Sequence, residues 1–474
     1  MKRTILPFGI ILLILTNISF SVAINESNNI TIIYVDDDNM SGPWYGTINH
    51  PFQYIQDGIN AATFNDTVFV FNGMYHEHLI INKSISLMGE SKEDTTIIDD
   101  HSHLTAAVNI NSNYVIVSNF TIQGEAVSYG IEITSDYATV SNNNILSSTG
   151  VNIHSGYNSI VKNNIEADSF WGIGLHGPKG SFNTILDNII TAESSGIYFI
   201  SQCRNNTISN NTIYCINCGI RLYESNKNII EFNSLYEGGF YLHNSYDNII
   251  INNAVNGKPI AYLKNESDIL INQDFGQVIL INCENITVEN QFIFNVRSGI
   301  FAYSSNYLTI QDNVIIHNNP FRCIGINLIS CKSTKIIRNK FSYIDALSIR
   351  FCNDTFISNN EIVNCRTGIS LQYCNKCKIS KNNIVNNSLH IDFYFGSRNS
   401  EITMNNLIGN RPTALFCDPL LANNTWNYNY WGRPLLLPRP IRGALILKDS
   451  FPYPSLILWF KFDWNPAKEP FKVQ

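Results

Sequence analysis

Charged residues are scarce in this chain. Asp, Glu, Lys and Arg make up 15% of its 474 residues, against about a quarter in an ordinary soluble protein. The balance is also acidic, with a formal net charge of −7 at pH 7. A protein that binds nucleic acid needs a basic face to neutralise phosphates. The composition therefore argues against a nucleic-acid partner.

Long apolar runs are missing after the N-terminus. A membrane-spanning helix needs about 20 consecutive apolar residues. Leu435–Leu447 is interrupted by prolines and arginines, and Ser455–Phe462 is too short. We therefore expect no transmembrane segment in the mature chain.

The N-terminus has the features of a secretory signal. Lys2 and Arg3 precede an apolar stretch, Ile5–Phe20, and Ser21-Val22-Ala23 supplies small residues for cleavage after Ala23. The alternative is an uncleaved anchor. Acceptor patterns for N-glycosylation begin at Asn29, Asn65, Asn119, Asn205, Asn285 and Asn353. Together these features predict a protein outside the cell, on its surface or in a periplasm-like space.

A short phrase recurs along the chain: apolar, two variable residues, Asn, one variable residue, apolar. Its asparagines are Asn143, Asn163, Asn188, Asn211, Asn233, Asn253, Asn313, Asn339, Asn360, Asn382 and Asn405, with Asn119 and Asn290 fitting through weaker flanks. Most steps are 20 to 26 residues, and the one exception is the 37-residue step from Asn253 to Asn290. A second marker, Gly-apolar-variable-apolar, precedes many of these phrases, as in Gly150-Val-Asn-Ile.

The period-two alternation of both markers predicts short β-strands. A repeat this small cannot bury its own apolar face, but stacked repeats bury a continuous column. We therefore predict an all-β fold, a right-handed parallel β-helix of about thirteen coils and roughly 60 Å. Asparagine would suit each corner because it tolerates left-handed backbone angles, and stacked amides would form a ladder. Leucine-rich repeats share this period but need Leu at fixed places and Asn in a different frame, and a β-propeller needs a longer period.

Both ends differ from the repeats. Pro51–Ala62, with Phe52, Ile55 and Ile59 on one face, predicts an amphipathic helix capping the solenoid. The tail after residue 410 breaks the period and predicts an irregular C-terminal cap. The expected organisation is therefore a signal peptide (1–23), an N-terminal cap with the first coils (24–115), β-helix repeats (116–410) and a C-terminal cap (411–474).

Several stretches carry a family resemblance. They are Tyr34-Val-Asp-Asp-Asp38, Ile55-Gln-Asp-Gly-Ile-Asn-Ala61, Asn72-Gly-Met-Tyr75, Ile81-Asn-Lys-Ser-Ile-Ser-Leu87, Asn256-Gly-Lys-Pro-Ile260 with Gln277-Val-Ile-Leu280, and Asn429-Tyr-Trp-Gly432. The chain resembles archaeal and bacterial surface β-helix proteins related to the NosD periplasmic copper-binding protein, within the pectin-lyase-like superfamily and its carbohydrate-binding and sugar-hydrolase group. The resemblance is specific for fold and weak for activity, because this scaffold serves enzymes and binding proteins alike.

Catalytic patterns are not evident. A glycosidase needs two carboxyl groups within about 5–10 Å, and the sequence offers neither such a pair, nor an Asp–Arg cluster, nor a Gly-His-Gly. The run Asp36-Asp37-Asp38 has the oxygen ligands that Ca²⁺ prefers. A solvated acidic turn is the favoured interpretation of that run.

Histidines give a sharper candidate for a metal site. His76 and His78 would share one face of an extended segment, as would His101 and His103 one coil later. Imidazole suits Cu or Zn, so these four residues are the predicted metal site, and the family resemblance implies copper. The alternative is chance recurrence on a long surface. His154, His176 and His243 hold equivalent places in their coils.

Cysteine spacing points to structure. Cys331, Cys352 and Cys374 follow the starts of their coils by six residues, which predicts a vertical column. Cys215-x-x-Cys218 and Cys374-x-x-Cys377 lie too far apart in the solenoid for a zinc ribbon. Buried small residues are favoured, with disulfides open as an alternative outside the cell.

The leading functional hypothesis is a non-enzymatic, exported β-helix that binds carbohydrate or a cell-envelope glycan. A polysaccharide lyase or glycoside hydrolase and a periplasmic-type copper-binding protein are the alternatives. Tyr198, Tyr223, Tyr241 and Tyr303 could line a sugar-binding face. The break in period between Asn253 and Asn290 is the first place to look for a binding site, since loops leaving a solenoid build such sites.

Overall fold

The computed structural model describes residues 31–99, 106–124, 129–318, 323–409, 414–419, 422–448 and 455–473. The expected signal segment, His101 and His103 lie outside these ranges. Within them the fold is all-β with a single α-helix, Ile55–Ala61. No helix among these residues has the length and apolarity needed to cross a membrane.

Each coil carries three strands, which stack on equivalent strands above and below to form three parallel sheets. In the first run of coils, sheet 1 precedes the repeated Asn and comprises Ile32–Val35, Thr67–Val70, Ser86–Gly89, Ile116–Ser118, Thr139–Ser141, Ser159–Val161, Thr184–Leu186, Thr207–Ser209, Ile229–Glu231 and Ile249–Ile251. Sheet 2 follows that Asn and comprises Gly73–Tyr75, Thr95–Asp99, Thr121–Gly124, Asn144–Ser147, Asn164–Ala167, Ile189–Ala192, Thr212–Tyr214, Ser234–Tyr236 and Ala254–Val255. Sheet 3 contains the Gly-apolar marker and comprises Leu79–Ile81, Val108–Ile110, Tyr129–Ile133, Thr149–Ile153, Trp171–His176, Ser195–Ile200, Ile220–Tyr223 and Phe240–His243.

The second run of coils repeats this arrangement. Its sheet 3 strands are Lys258–Lys264, Gln277–Ile281, Ser298–Tyr303, Ile324–Ile329, Asp345–Arg350, Thr367–Gln372, Leu389–Tyr394 and Ala414–Pro419. Its sheet 1 strands are Leu270–Ile271, Thr287–Glu289, Thr309–Gln311, Lys335–Ile337, Phe356–Ser358, Lys378–Ser380, Glu401–Thr403 and Thr425–Asn427. Its sheet 2 strands are Phe292–Phe294, Val314–Ile316, Lys340–Ser342, Glu361–Val363, Asn383–Val385 and Asn406–Ile408.

Inward-facing aliphatic residues fill the core in vertical columns. Val140 aligns with Ile160, and Ile160 with Ile185, and all three are fully buried. Burying one such side chain contributes about 1.5–3 kcal/mol, so the column stabilises the stack. The predicted parallel β-helix is confirmed, but it winds about 16 turns rather than thirteen. The difference arises because coils form before Asn119 and after Asn405 as well.

The predicted N-terminal capping helix is confirmed, and two charged side chains clamp it. Ile55 and Ile59 are fully buried on the first coils. The Glu77 carboxylate accepts hydrogen bonds from the backbone N–H groups of Ile55 and Gln56, at 2.6 and 2.9 Å. At the other end, Lys83 Nζ donates to the carbonyls of residues 59, 60 and 62, at 3.2, 2.6 and 2.8 Å. Both charges complement the helix dipole.

The C-terminal cap is more regular than expected. Arg439–Lys448 and Ser455–Asp463 form a long antiparallel hairpin. Its first strand continues sheet 3 beyond Ala414–Pro419, and its second pairs with Thr425–Asn427 through Trp426 and Asp463. Trp426 and Trp431 are buried beneath it. The proline- and tryptophan-rich tail thus forms an antiparallel hairpin that covers the last coil.

The two runs of coils meet at the predicted break in period, here called the elbow. Asn256 and Gly257 have positive φ (52° and 76°) and reverse the chain, so that Val255 pairs antiparallel with Lys258. An Asn-Gly pair favours such tight turns. Lys258–Lys264 then pairs with Gln277–Ile281, while the first run's sheet 3 ends at Phe240–His243. The solenoid is therefore interrupted at this point.

A glutamine side chain bridges the interruption. Gln277 is fully buried, its Oε1 accepts from the Phe240 N–H at 2.9 Å, and its Nε2 donates to the carbonyls of Phe240 and Ser298, at 2.8 and 2.7 Å. Beside it, Tyr246 of the first run stacks on Tyr303 of the second, with ring centroids 3.7 Å apart. The elbow is thus a packed junction.

Candidate functional site

An asparagine ladder runs along one corner of each run. Asn143 Nδ2 donates to Asn163 Oδ1 at 3.1 Å, and the contact repeats to Asn188, Asn211, Asn233 and Asn253. In the second run the ladder passes through Asn313, Asn339, Asn360, Asn382, Asn405 and Asn429. Each of these asparagines is at most 3% exposed.

The ladder asparagine does not hold the left-handed backbone position, so the prediction that asparagine is needed there for its left-handed backbone angles is wrong. The residue before it does, and that residue varies widely: Lys162, Phe232, Arg338 and Met404 all have φ between 55° and 56°. Asparagine is required for its side-chain amide, which donates and accepts at once.

Asn290 is not a ladder member, so its predicted place in the ladder is wrong, and Asn119, which also fits the phrase weakly, lies outside the ladder too. Both have positive φ (65° and 59°), which places them one residue before the ladder position. Phe120 and Gln291 occupy that position, and their backbone N–H groups donate to Asn143 Oδ1 and Asn313 Oδ1. The weak flanks of these two phrases reflected this shift of one residue.

A second, shorter ladder was missed in the sequence. Asn206 Nδ2 donates to Asn228 Oδ1, and Asn228 Nδ2 to Asn248 Oδ1, each at 3.0 Å. Asn158 and Asn183 continue it through backbone N–H donors. Each of these residues lies five positions before a ladder asparagine, so the spacing in the sequence was a usable signal.

The cysteine column is buried in the solenoid and takes part in the hydrogen bonds between coils. Cys331, Cys352 and Cys374 are at most 1% exposed, and the Cys331 N–H donates to Cys352 Sγ at 3.3 Å. Ser305 and Ser397 serve the same corner in neighbouring coils, accepting from Cys283 and Cys374. Cys331, Cys352 and Cys374 are free thiols. Hydrogen bonds with Cys331 and Cys374, together with burial, raise the pKa of Cys352, which disfavours a reactive thiolate.

The predicted metal and calcium residues mostly serve the fold. His78 Nδ1 lies 3.3 Å from Asp99 Oδ2, and its Nε2 lies 3.2 Å from Asn109 Nδ2; His76 is exposed. Asp37 Oδ2 accepts from the Met74 N–H at 2.9 Å. Within the ranges described, no group of three or more His, Cys, Asp or Glu side chains is placed to hold a metal ion, and His101 and His103 lie outside those ranges.

A cleft opens where one coil is longer than its neighbours. The step from Asn163 to Asn188 is 25 residues, against 20 for the step before it. Three of the five extra residues fall in a loop at Gly177–Ser181, because Leu175 and Thr184 are nine positions apart where their partners Ile153 and Ser159 are six apart. Ser181 Oγ closes this loop by donating to the Pro178 carbonyl at 2.7 Å. The loop overhangs a cleft of about 400 Å³.

Polar and aromatic side chains line this cleft together. Asn113, Asp136, His154 and Lys179 are among its polar lining residues. Its aromatic wall is Tyr157 and Phe182, about half exposed, which end a stack that begins at Tyr114 and Tyr137, with ring centroids 4.9 to 5.1 Å apart. The cleft therefore offers hydrogen-bonding groups beside apolar ring surface.

A network of rings on sheet 3 borders the cleft. The rings of His154 and His176 stack with centroids 4.3 Å apart, as their equivalent places in the sequence predicted. Asn152 Oδ1 lies 2.5 Å from His176 Nε2 and accepts from Trp171 Nε1 at 3.3 Å. His154 Nε2 also lies 3.3 Å from Glu132 Oε1. Burial lowers the pKa of His176 to about 4, with a smaller effect from His154.

The four tyrosines suggested from the sequence cluster toward the elbow. Tyr198 lies under Arg221, with Cζ 4.6 Å from the ring centroid, and Tyr241 lies 5.8 Å from the same Cζ. Tyr223 stacks on His243 at 4.4 Å, and Tyr303 stacks on Tyr246. Guanidinium groups and other rings cover these aromatic faces, so they offer little area for stacking a sugar.

Three of the solved structures that are similar to this chain are the following. The Dettilon tailspike protein is 12% identical, covering 70% of this chain and 66% of its own, with a TM-score of 0.39. The A-module of a mannuronan C-5 epimerase from Azotobacter vinelandii is 13% identical, covering 73% and 94%, with a TM-score of 0.38. Rice weevil pectin methyl esterase is 12% identical, covering 46% and 90%, with a TM-score of 0.33. No curated protein matches the chain.

The class defined by the fold is that of right-handed parallel β-helices. Within it, the model of the family described as periplasmic copper-binding protein (NosD) matches residues 59–238, 183–342 and 236–436. The chain belongs to this family.

Proposed function

We propose that this protein is an exported β-helix that binds a polysaccharide without cleaving it, and that the cleft beneath the Gly177–Ser181 loop is the binding site. The observation that carries the proposal is the composition of this cleft of about 400 Å³. Ligand sites are typically concavities of roughly 300–1,000 Å³ with a few placed polar groups. A sugar presents many hydroxyls and an apolar ring face, which match this lining.

The available charges favour binding over catalysis. Glu132, the carboxylate beside the His154–His176 pair, contacts His154. Asp136 Oδ1 accepts from the Gly156 N–H at 2.8 Å and so has a backbone partner. Hydrolysis requires one carboxyl to donate a proton and another to act as base or nucleophile. Each of these two carboxylates already contacts a partner, a histidine ring for Glu132 and a backbone N–H for Asp136.

Location outside the cytoplasm is part of the proposal. It is supported by the basic start, apolar stretch and small residues of the first 23 positions, and by the word periplasmic in the family description. The family description also names copper binding. For this chain, copper binding rests on the prediction that His76, His78, His101 and His103 form a site.

A glycan array, followed by pull-down on envelope polysaccharide, tests the proposal. Tyr157→Asn together with Lys179→Ala should abolish binding, because the pair removes an aromatic wall and an ammonium group. Asn tolerates the positive φ of 60° at residue 157. Tyr373→Asn is the matched control, since Tyr373 is also exposed, stacked and at positive φ (52°) but lies outside the cleft.

Three outcomes would count against it. Failure of the intact protein to bind any glycan would remove the function. If the Tyr157→Asn/Lys179→Ala variant bound glycan as well as the Tyr373→Asn control, the cleft would not be the binding site. New reducing ends or unsaturated products from a bound glycan would replace binding with hydrolysis or lyase activity.

A further inference from the structure

Three arginines converge on the elbow from both runs of coils. Arg221 comes from the sheet 3 strand Ile220–Tyr223, Arg297 precedes Ser298–Tyr303, and Arg350 ends Asp345–Arg350. The Cζ atoms of Arg221 and Arg297 lie 5.8 and 5.4 Å from the ring centroid of Tyr241. This tyrosine is therefore shared by guanidinium groups of both runs.

The third arginine lies on the same outward face of sheet 3 as Tyr303, and its charge acts on His243 of the first run. Tyr303 aligns with Ile329, and Ile329 with Arg350, so Arg350 stands two coils from Tyr303 on one outward row. Tyr303 in turn stacks on Tyr246 of the first run. The positive charges of Arg350 and Arg221 both lower the pKa of His243, after burial and against Glu224. Arg221, Arg297 and Arg350 are hereafter the elbow arginines.

These three cations lack partners of opposite sign. Arg338 and Arg366 each form an ion pair, whereas no carboxylate in the described part of the chain pairs with an elbow arginine. All three are half-buried, and desolvated charge without a partner is costly. The clustering stands out because the protein as a whole carries a net charge of −7.

Buried polar atoms at the junction are also unsatisfied. Arg221 Nε and Arg350 Nε are buried donors that have no hydrogen-bond partner. Buried polar groups are normally paired, so the junction has hydrogen-bonding capacity that the described chain does not use.

We propose that the elbow is a binding site for an oxyanionic group, the carboxylate or sulfate of an acidic sugar or small anion. Guanidinium groups bind such groups through paired, charge-assisted hydrogen bonds. The half-buried setting strengthens this attraction relative to open solvent. The site is distinct from the glycan cleft and is assayed without a polysaccharide.

The test measures binding of sodium sulfate and sodium glucuronate to the full chain, by calorimetry and by thermal unfolding. Sodium chloride holds ionic strength constant, and glucose is the neutral comparison. Arg221→Met with Arg350→Met removes two charges while keeping the apolar stems. Arg338→Met is the matched control, because Arg338 already pairs with Asp312.

The intact protein and the control should bind at least one of the two anions, and glucose should not bind at the elbow. The double variant should bind roughly tenfold more weakly or worse, because it removes two groups that donate charge-assisted hydrogen bonds to the anion. A preference for sulfate or for glucuronate identifies the anion. If the double variant does not fold by circular dichroism, each single variant is measured, and each should weaken binding.

Two results would overturn the proposal. One is an intact protein that responds to sulfate and glucuronate no more than to chloride. The other is a folded arginine variant that binds as tightly as the Arg338→Met control. Neither result depends on whether the cleft binds a neutral glycan, so the two proposals fail separately.

Discussion

Asn429 Nδ2 donates to Asp463 Oδ2 at 3.0 Å, and this contact ends the asparagine ladder on the C-terminal hairpin. The same carboxylate oxygen accepts from the Asn429 backbone N–H at 3.0 Å and from Trp431 Nε1 at 3.1 Å. Asp463 is fully buried. Three donors of the last coil therefore hydrogen-bond to one carboxylate, and these bonds join the cap to the solenoid.

Replacing this carboxylate should destabilise the protein. We expect Asp463→Ala to lower the free energy of unfolding by about 3 kcal/mol, because it leaves three buried donors without an acceptor. Asp463→Asn retains an oxygen acceptor and should cost less. Chemical denaturation measures both variants, and an Asp463→Ala value within about 0.5 kcal/mol of the intact protein would contradict the interpretation.

The one-residue correction at the start of the second ladder can be tested with a matched pair. Gln291→Ala should cost about 2 kcal/mol, because Gln291 Oε1 accepts from the Phe275 N–H at 3.0 Å and its Nε2 donates to the Glu289 carbonyl at 2.8 Å. Asn290→Gly should change stability by less than about 0.5 kcal/mol, since Asn290 is exposed and glycine accepts its positive φ. The reverse ranking in urea unfolding would restore Asn290 to the ladder.

Acid should weaken the first run of coils through His176. Its pKa is lowered to about 4 by burial, below the ordinary value of about 6.5. Between these values the unfolded chain binds more protons, so this contribution to stability is complete above about pH 6.5 and is lost as pH falls toward 4. Allowing for partial exposure, we expect about 1–2 kcal/mol.

The measurement compares unfolding of the intact protein and His176→Asn at pH 7 and pH 4.5. The variant should lose less stability over this range. His50→Asn, which changes an exposed histidine, should behave as the intact protein does. If the His176 variant were as acid-sensitive as the His50 variant, the buried neutral imidazole would not be responsible.

Copper binding remains a prediction from the sequence. Replacing His76, His78, His101 and His103 with Ala should remove copper that the intact protein retains after desalting, because imidazole is the expected ligand. His243→Ala should keep the metal. Elemental analysis decides the matter, and an intact protein without bound copper would end the hypothesis.

The sequence determined the fold because its signals are local and repeated. The step between asparagines and the alternation of Ile and Val dictate stacked strands whatever the detail of each corner. It also located the elbow, because the 37-residue step from Asn253 to Asn290 is longer than one regular coil and shorter than two. The register error at Asn290 shows the limit of a phrase match, since Asn occurs both at the left-handed corner and in the ladder.

Only the tertiary structure decided which surface side chains act together. Arg221 and Arg350 are 129 positions apart in the numbering, and no repeat relates them. They converge because the chain reverses at Asn256–Gly257 and the two runs pack through Tyr246 and Tyr303. Likewise, the cleft exists because the Gly177–Ser181 loop overhangs its neighbours. A periodic sequence specifies stacking through short-range contacts, whereas a binding site depends on where the regular stack is interrupted.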